Sequence, residues 1–163
     1  MSTLELIKVL RETTGAGMMD CKKALQETNN DLEAAKDWLR EKGITTAAKK
    51  QARIAAEGLT VAKVAAKPSV ILELNCETDF VARGEAFIDL LNQLADLLLE
   101  KVPANKEEAD KLIDPFLVEA TVKIGEKLSF RRFELVEVCD CKVSAYIHMG
   151  GKISTLVVLD KPN

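Results

Sequence analysis

The run Cys76-Glu77-Thr78-Asp79-Phe80-Val81-Ala82-Arg83 sets a carboxylate beside a large aromatic, between an alternating apolar strand and an amphipathic helix. A Phe on such a connection has two readings. It folds back onto its own core, or it points outward and enters a partner. In the second reading Phe80 is an apolar wedge and Asp79 carries a negative charge in beside it. That is binding chemistry, and the signs of covalent chemistry are weaker. His148 is the single imidazole and shares a strand face with Ser144 and Tyr146. No third group is placed to orient a Ser–His or Cys–His pair. Cys139-Asp140-Cys141 is a C-x-C without a second Cys pair or a His pair, whereas zinc takes four ligands at stereotyped spacing. The expectation is reduced thiols at Cys21, Cys76, Cys139 and Cys141, with no metal site and no cofactor. No G-x-x-x-x-G-K-[ST] run is present, so no nucleotide is expected to bind this chain through a P-loop.

Composition narrows the classes further. The 163 residues suit one medium domain, or a small one plus one of about a hundred residues. Apolar residues make up 47% and charged residues 30%, an ordinary globular balance. No apolar run approaches the ~20 residues that span a bilayer. Charges at Glu5, Lys8, Arg11 and Glu12 rule out reading residues 1–12 as a signal peptide. The chain therefore reads as cytoplasmic, with no membrane partner. A net charge of −3 argues against a general nucleic-acid binder. The charge is uneven: residues 1–56 hold ten Lys/Arg against eight Asp/Glu, and the remainder thirteen against eighteen.

Elements must position these residues. Ser2 with Glu5 reads as a capping box, followed by Leu4, Ile7 and Leu10 on one helical face. Gly15-Ala16-Gly17 breaks that helix and opens a second through Met18–Thr28. Asn30 with Glu33 repeats the cap pattern, Leu32, Ala35 and Leu39 form a stripe, and Gly43 stands where a helix-ending glycine belongs. Residues 1–43 are thus a three-helix domain. Residues 44–57, Ala-rich with Lys49, Lys50 and Arg53, read as a helical linker. From Gly58 the period changes. Leu59–Val64 is a strand, Lys67-Pro68-Ser69 a turn, and Val70 to Cys76 a strand with one strongly apolar face. A loop follows at Thr78–Val81. Phe87, Leu90, Leu91, Leu94, Leu97 and Leu98 then recur at helical spacing. Asn105 with Glu108 starts another helix, expected to break at Pro115 with Asp114 capping a new segment to Gly125. Strands at Leu128–Val138, Lys142–Met149 and Ile153–Leu159 complete the chain. Val143, Ala145, Ile147 and Met149 share one face, and Gly150-Gly151 signals a hairpin. The fold class is α+β: a three-helix bundle, a helical linker, and an antiparallel sheet with helices on one face over residues 58–163.

Two segments resemble a known family. Asn75-Cys76-Glu77-Thr78-Asp79-Phe80-Val81-Ala82-Arg83 is similar to the signature of the elongation factor Ts family, guanine-nucleotide exchange factors of translation. Leu10-Arg11-Glu12-Thr13-Thr14-Gly15-Ala16-Gly17-Met18-Met19-Asp20-Cys21-Lys22-Lys23-Ala24-Leu25 resembles its N-terminal motif, in the right order and at the right spacing. The resemblance implies that the N-terminal bundle is of the ubiquitin-associated type and that the partner is the GTPase elongation factor Tu. It implies that Asp79 and Phe80, with Thr78 and Val81, enter between helices of that GTPase domain and disturb the elements that hold Mg²⁺. Arg11, Met18, Met19 and Lys22 would contact another helix of the same domain. Ile124-Gly125 and His148 match further positions that face the partner, His148 by contact and not as a base. Such a factor is no enzyme in the covalent sense: it binds the nucleotide-free GTPase better, so by linkage nucleotide binds the complex less well. The family's second core subdomain and C-terminal module are not recognisable in the sequence, so the chain reads as an N-terminal domain plus a first core subdomain.

Other classes stay open on residues alone. An adaptor would use the three-helix bundle to hold a peptide or a ubiquitin-like partner and would need no charged wedge. A thiol enzyme would pair Cys139 or Cys141 with His148. An RNA binder would use the basic run within residues 42–53.

Overall fold

A computed structural model describes residues 2–137 and 141–160. In chain order the elements are α1 (Thr3–Thr14), α2 (Met18–Glu27), α3 (Leu32–Lys50), β1 (Glu57–Lys63), β2 (Ser69–Cys76), α4 (Asp79–Ala82), α5 (Glu85–Lys101), α6 (Lys106–Ile124), β3 (Ser129–Val136), β4 (Cys141–His148) and β5 (Ile153–Asp160). The architecture is α+β, as the periodicities imply. The chain divides into two units, one of residues 2–52 and 118–125, the other of 53–117 and the described residues from 126 on.

The first unit is helical. The α1 capping box forms: the Ser2 amide donates to Glu5 Oε2 at 2.7 Å while the Glu5 amide donates to Ser2 Oγ at 3.4 Å. Leu6, Ile7, Leu10, Cys21, Ala24, Leu25, Ala35 and Leu39 make the core, with Leu32 and Trp38 packed against it. Leu4, expected on the core face, is 79% exposed. A step of six residues from Leu10 leaves it well around the helix, and Leu6, four residues from Leu10, takes the buried place. The cap of α3 is Asp31, whose carboxylate accepts the Ala34 amide at 3.0 Å, and not Asn30. Asn29 and Asn30 instead take left-handed φ values of 52° and 63°, which Asn tolerates better than most residues. Gly43 does not end the helix. The separate linker helix expected over residues 44–57 does not form: residues 44–50 are the last turns of α3, and residues 51–56 are non-helical chain leading to β1. A Cβ on Gly43 would stand 2.8 Å from a Val122 methyl, so the glycine serves a close packing contact with α6.

In the second unit an antiparallel sheet runs in the order β1-β2-β3. Its alternating residues Val70, Leu72, Leu74 and Cys76 are all buried, and α4 and α5 pack against β1 and β2. Phe87, Leu90, Leu91, Leu94 and Leu98 are the buried stripe of α5. The expected break at Pro115 does not occur, for α6 continues through it. Proline costs a helix one backbone bond. Here its ring lies on the exposed side, while Ala109 and Ile113 are fully buried and hold the helix down.

The C-terminal strands do not extend the first sheet. β4 and β5 pair in a separate two-stranded ribbon, closed by a 3-10 turn at Met149–Gly151. The Thr60 hydroxyl fastens the ribbon to β1, bonded to Gly151 O at 2.8 Å and Ser154 Oγ at 2.7 Å. The face of Val143, Ala145, Ile147 and Met149, apolar in sequence, is only half-covered at Val143 and exposed at the other three.

Candidate functional site

The Asp79–Phe80 pair is not on a loop. It opens α4, a single helical turn that begins three residues after β2 ends. Thr78 is the N-cap in extended conformation, and its hydroxyl accepts the Val81 amide at 3.4 Å. A turn of four residues has room for one inward side chain, and Ala82 takes it, fully buried. Phe80 points the other way and is 87% exposed. The turn is tied into α5 almost without slack: the Gly84 amide donates to Val81 O at 2.9 Å, and Gly84 O accepts from Phe87 and Ile88 at 3.1 Å each. Gly84 is favoured because a Cβ there would approach Val81 O to 3.2 Å. The ring is therefore held out on a short rigid turn between a strand and a long helix.

The charge beside it is partly engaged. Asp79 Oδ2 pairs with Arg83 at 2.9 Å, one helical turn along, with both side chains well exposed. Pairs of this kind contribute about 0.3–0.5 kcal/mol. Asp79 is thus oriented but easily released to a stronger partner. On the inner side of the same turn, Cys76 is fully buried and its thiol is raised from 9.0 to about 11, first by burial and then by the nearby Glu126 carboxylate. It is a packed, unreactive thiol.

Residues 77–163 match the family model described as Elongation factor TS, and residues 1–48 match the one described as Elongation factor Ts, mitochondrial, N-terminal. The chain belongs to the elongation factor Ts family. It is by that membership a translation elongation factor, and the family is one of exchange factors and not of catalysts of covalent chemistry. The TDFV tip falls inside the first match and the Arg11–Lys22 segment inside the second.

In the first unit Arg11 and Lys22 are exposed, Met18 is 57% exposed and Met19 73%. Two adjacent exposed methionines at a helix start are costly to leave in water and adaptable against another surface. Arg11 and Met18 line a groove of about 580 Å³ together with Leu4, Ile7, Lys8, Glu12, Gly15 and Ala16. Met19 and Lys22 lie outside that lining. Leu4 is a groove residue that the sequence reading placed in the core. Its six-residue offset from Leu10 was the available signal.

Ile124 is half-buried, and Gly125 is exposed with φ +85°, ending α6 as its amide donates a hydrogen bond to Thr121 O at 2.9 Å. Gly125 O also accepts from Lys50. His148 is exposed at the end of β4, and its Nδ1 lies 2.9 Å from the Tyr146 hydroxyl. Cys141 pairs with Asp160 at one end of the ribbon and His148 with Ile153 at the other, about 23 Å apart at ~3.3 Å per residue. A Cys141–His148 dyad is excluded by that distance. Cys139 lies outside the described residues. No cluster of three metal-ligating side chains occurs among the described residues, and no helix there is long and apolar enough to cross a membrane. In the basic run, Lys50 is engaged with Gly125 O and Arg53 with Glu77 at 3.3 Å, while Lys49 is exposed.

Proposed function

We propose that the chain binds elongation factor Tu in its GDP form and promotes GDP release, with the Thr78–Val81 turn as the acting element. The exposure of Phe80 carries this reading. An aromatic ring left in water on a rigid turn gains about 1.5–3 kcal/mol when a partner buries it. Asp79 enters beside it and brings a negative charge toward the elements that hold Mg²⁺. Because that metal neutralises phosphate charge, disturbing its coordination weakens nucleotide binding. Arg11, Met18, Met19 and Lys22 form a second contact on the same GTPase, and Ile124, Gly125 and His148 add to the partner surface. No proton transfer is needed. The factor lowers nucleotide affinity by reciprocal coupling and leaves the final balance of nucleotides unchanged. A cytoplasmic place of action belongs to the same reading.

The test is stopped-flow release of labelled GDP from elongation factor Tu, with thermal melting as control. Phe80→Ala is expected to reduce stimulated release roughly 10- to 150-fold, the rate equivalent of losing that burial, while the melting temperature stays put. Equal losses in rate and stability would place Phe80 in the fold and remove the wedge. An adaptor is the second reading, favoured by the apolar groove beside α1 and α2. Partner capture that survives Phe80→Ala without any effect on GDP release would select it.

A further inference from the structure

β2 and β3 stop pairing at Asn75 and Ser129. Beyond that point the chain leaves the β2–β3 ladder, yet it must still be aimed into α4. Two side chains take over. Glu126 Oε2 accepts the amides of Glu77 and Thr78, both at 3.0 Å, and Glu126 Oε1 accepts the Thr78 hydroxyl at 2.6 Å. In return Glu77 Oε1 accepts the Lys127 amide at 2.6 Å. Arg53 closes the loop, its guanidinium on Glu77 at 3.3 Å and its carbonyl accepting Lys127 Nζ at 2.8 Å. The result is a two-way clasp: the Glu126 carboxylate holds the main chain at Glu77 and Thr78, and the Glu77 carboxylate holds it at Lys127, the residue after Glu126.

We propose that Glu126 is the positioning residue of the Asp79–Phe80 tip. This rests on the exchange reading above. Bonds from amides and a hydroxyl to a carboxylate are charge-assisted and shorter and stronger than neutral ones. All three end on Glu77 and Thr78, the two residues that join the last strand residue to Asp79. Because the Thr78 hydroxyl spends its proton on Glu126, its lone pairs face Val81 and cap α4. Removing the carboxylate turns two amides to water, frees the hydroxyl to rotate, and loosens the base of the turn. The β2–β3 ladder and the buried face of α5 do not pass through these bonds, so the body of the unit keeps its packing. Glu126 acts through Thr78 and need not touch the GTPase.

The experiment compares the full chain with Glu126→Ala, Glu126→Gln and Glu126→Asp. Amide exchange at Glu77, Thr78 and residues 79–84 is read by NMR, and GDP release from elongation factor Tu is read across factor concentration. Glu126→Ala is expected to speed exchange at those amides and to lower the limiting release rate about tenfold, with half-saturation shifted by less than about threefold. Glu126→Gln, which keeps an acceptor oxygen at the same reach, recovers part of both losses, and Glu126→Asp, one methylene short, recovers neither. Unchanged amide exchange in Glu126→Ala overturns the proposal. So does a shift in half-saturation with the limiting rate intact, which would make Glu126 a direct contact. If the unaltered chain fails to accelerate GDP release, the exchange reading falls, while the amide measurement still decides whether Glu126 sets the tip.

Discussion

At the scale of single residues, the same segment holds an outward ring and an inward thiol four positions apart. Phe80 is almost fully solvated and Cys76 fully buried. The alternation of β2 put Cys76 on the apolar face, so its burial was legible from the sequence. The direction of Phe80 was not, because a connection has no period to read. It was decided by the one-turn helix, which gives the inward place to Ala82. Burial has a consequence at Cys76. Its pKa is raised to about 11 from 9.0, so the folded state holds the thiol proton more tightly than the unfolded chain. The associated stability is fully present below pH 9 and is lost as pH rises toward 11. A thiol reagent at pH 8 is expected to leave Cys76 unmodified in the native chain and to label it after denaturation. Rapid native labelling, followed by mass spectrometry of the 76-containing peptide, would contradict the burial.

At the scale of elements, two misreadings have a common cause: glycine and proline were taken as punctuation. Gly43 reads as a stop, yet the helix continues because α6 packs so close that only a hydrogen fits. Pro115 reads as a break, yet α6 continues because Ala109 and Ile113 before it are buried and the ring is exposed. Local propensity is a weak prior that packing overrides. Gly43→Ala tests this directly. In an isolated helix the change would stabilise by about 1 kcal/mol. Here the new methyl meets a branched Val122 side chain that has little freedom to move, and overpacking costs about 1–3 kcal/mol. Net destabilisation is expected in a denaturant melt, with partial recovery in Gly43→Ala/Val122→Ala. An increase in stability from the single change would show that the contact is slack. The strands were legible for the opposite reason. Their period of two survives wherever one face is buried, and Asn105 with Glu108 starts α6 as read, the Glu108 amide bonded to Asn105 Oδ1 at 3.0 Å.

For the whole molecule, the net charge of −3 and the internal engagement of Lys50 and Arg53 predict little attraction for polyanions. Association with structured RNA at ~0.15 M salt is expected to be undetectable by filter retention, since such binding is dominated by phosphate contacts. Retention that falls steeply with added salt would show that the N-terminal excess of Lys and Arg acts as a binding surface after all. By itself the sequence determined the class of the fold, the strands with a buried face, the caps at Ser2 and Asn105, the segment that carries the acid–aromatic pair and the family to which the chain belongs. These are properties of spacing and of short motifs, and they need no knowledge of what lies opposite. The tertiary structure alone decided that Phe80 stands out in solvent, that Leu4 rims a groove, that the last two strands form a ribbon of their own, and that Glu126 reaches across forty-eight residues to hold Thr78. Each of those depends on which groups distant in the chain become neighbours, and a half-buried glutamate carries no mark in its own sequence of the amides it will meet.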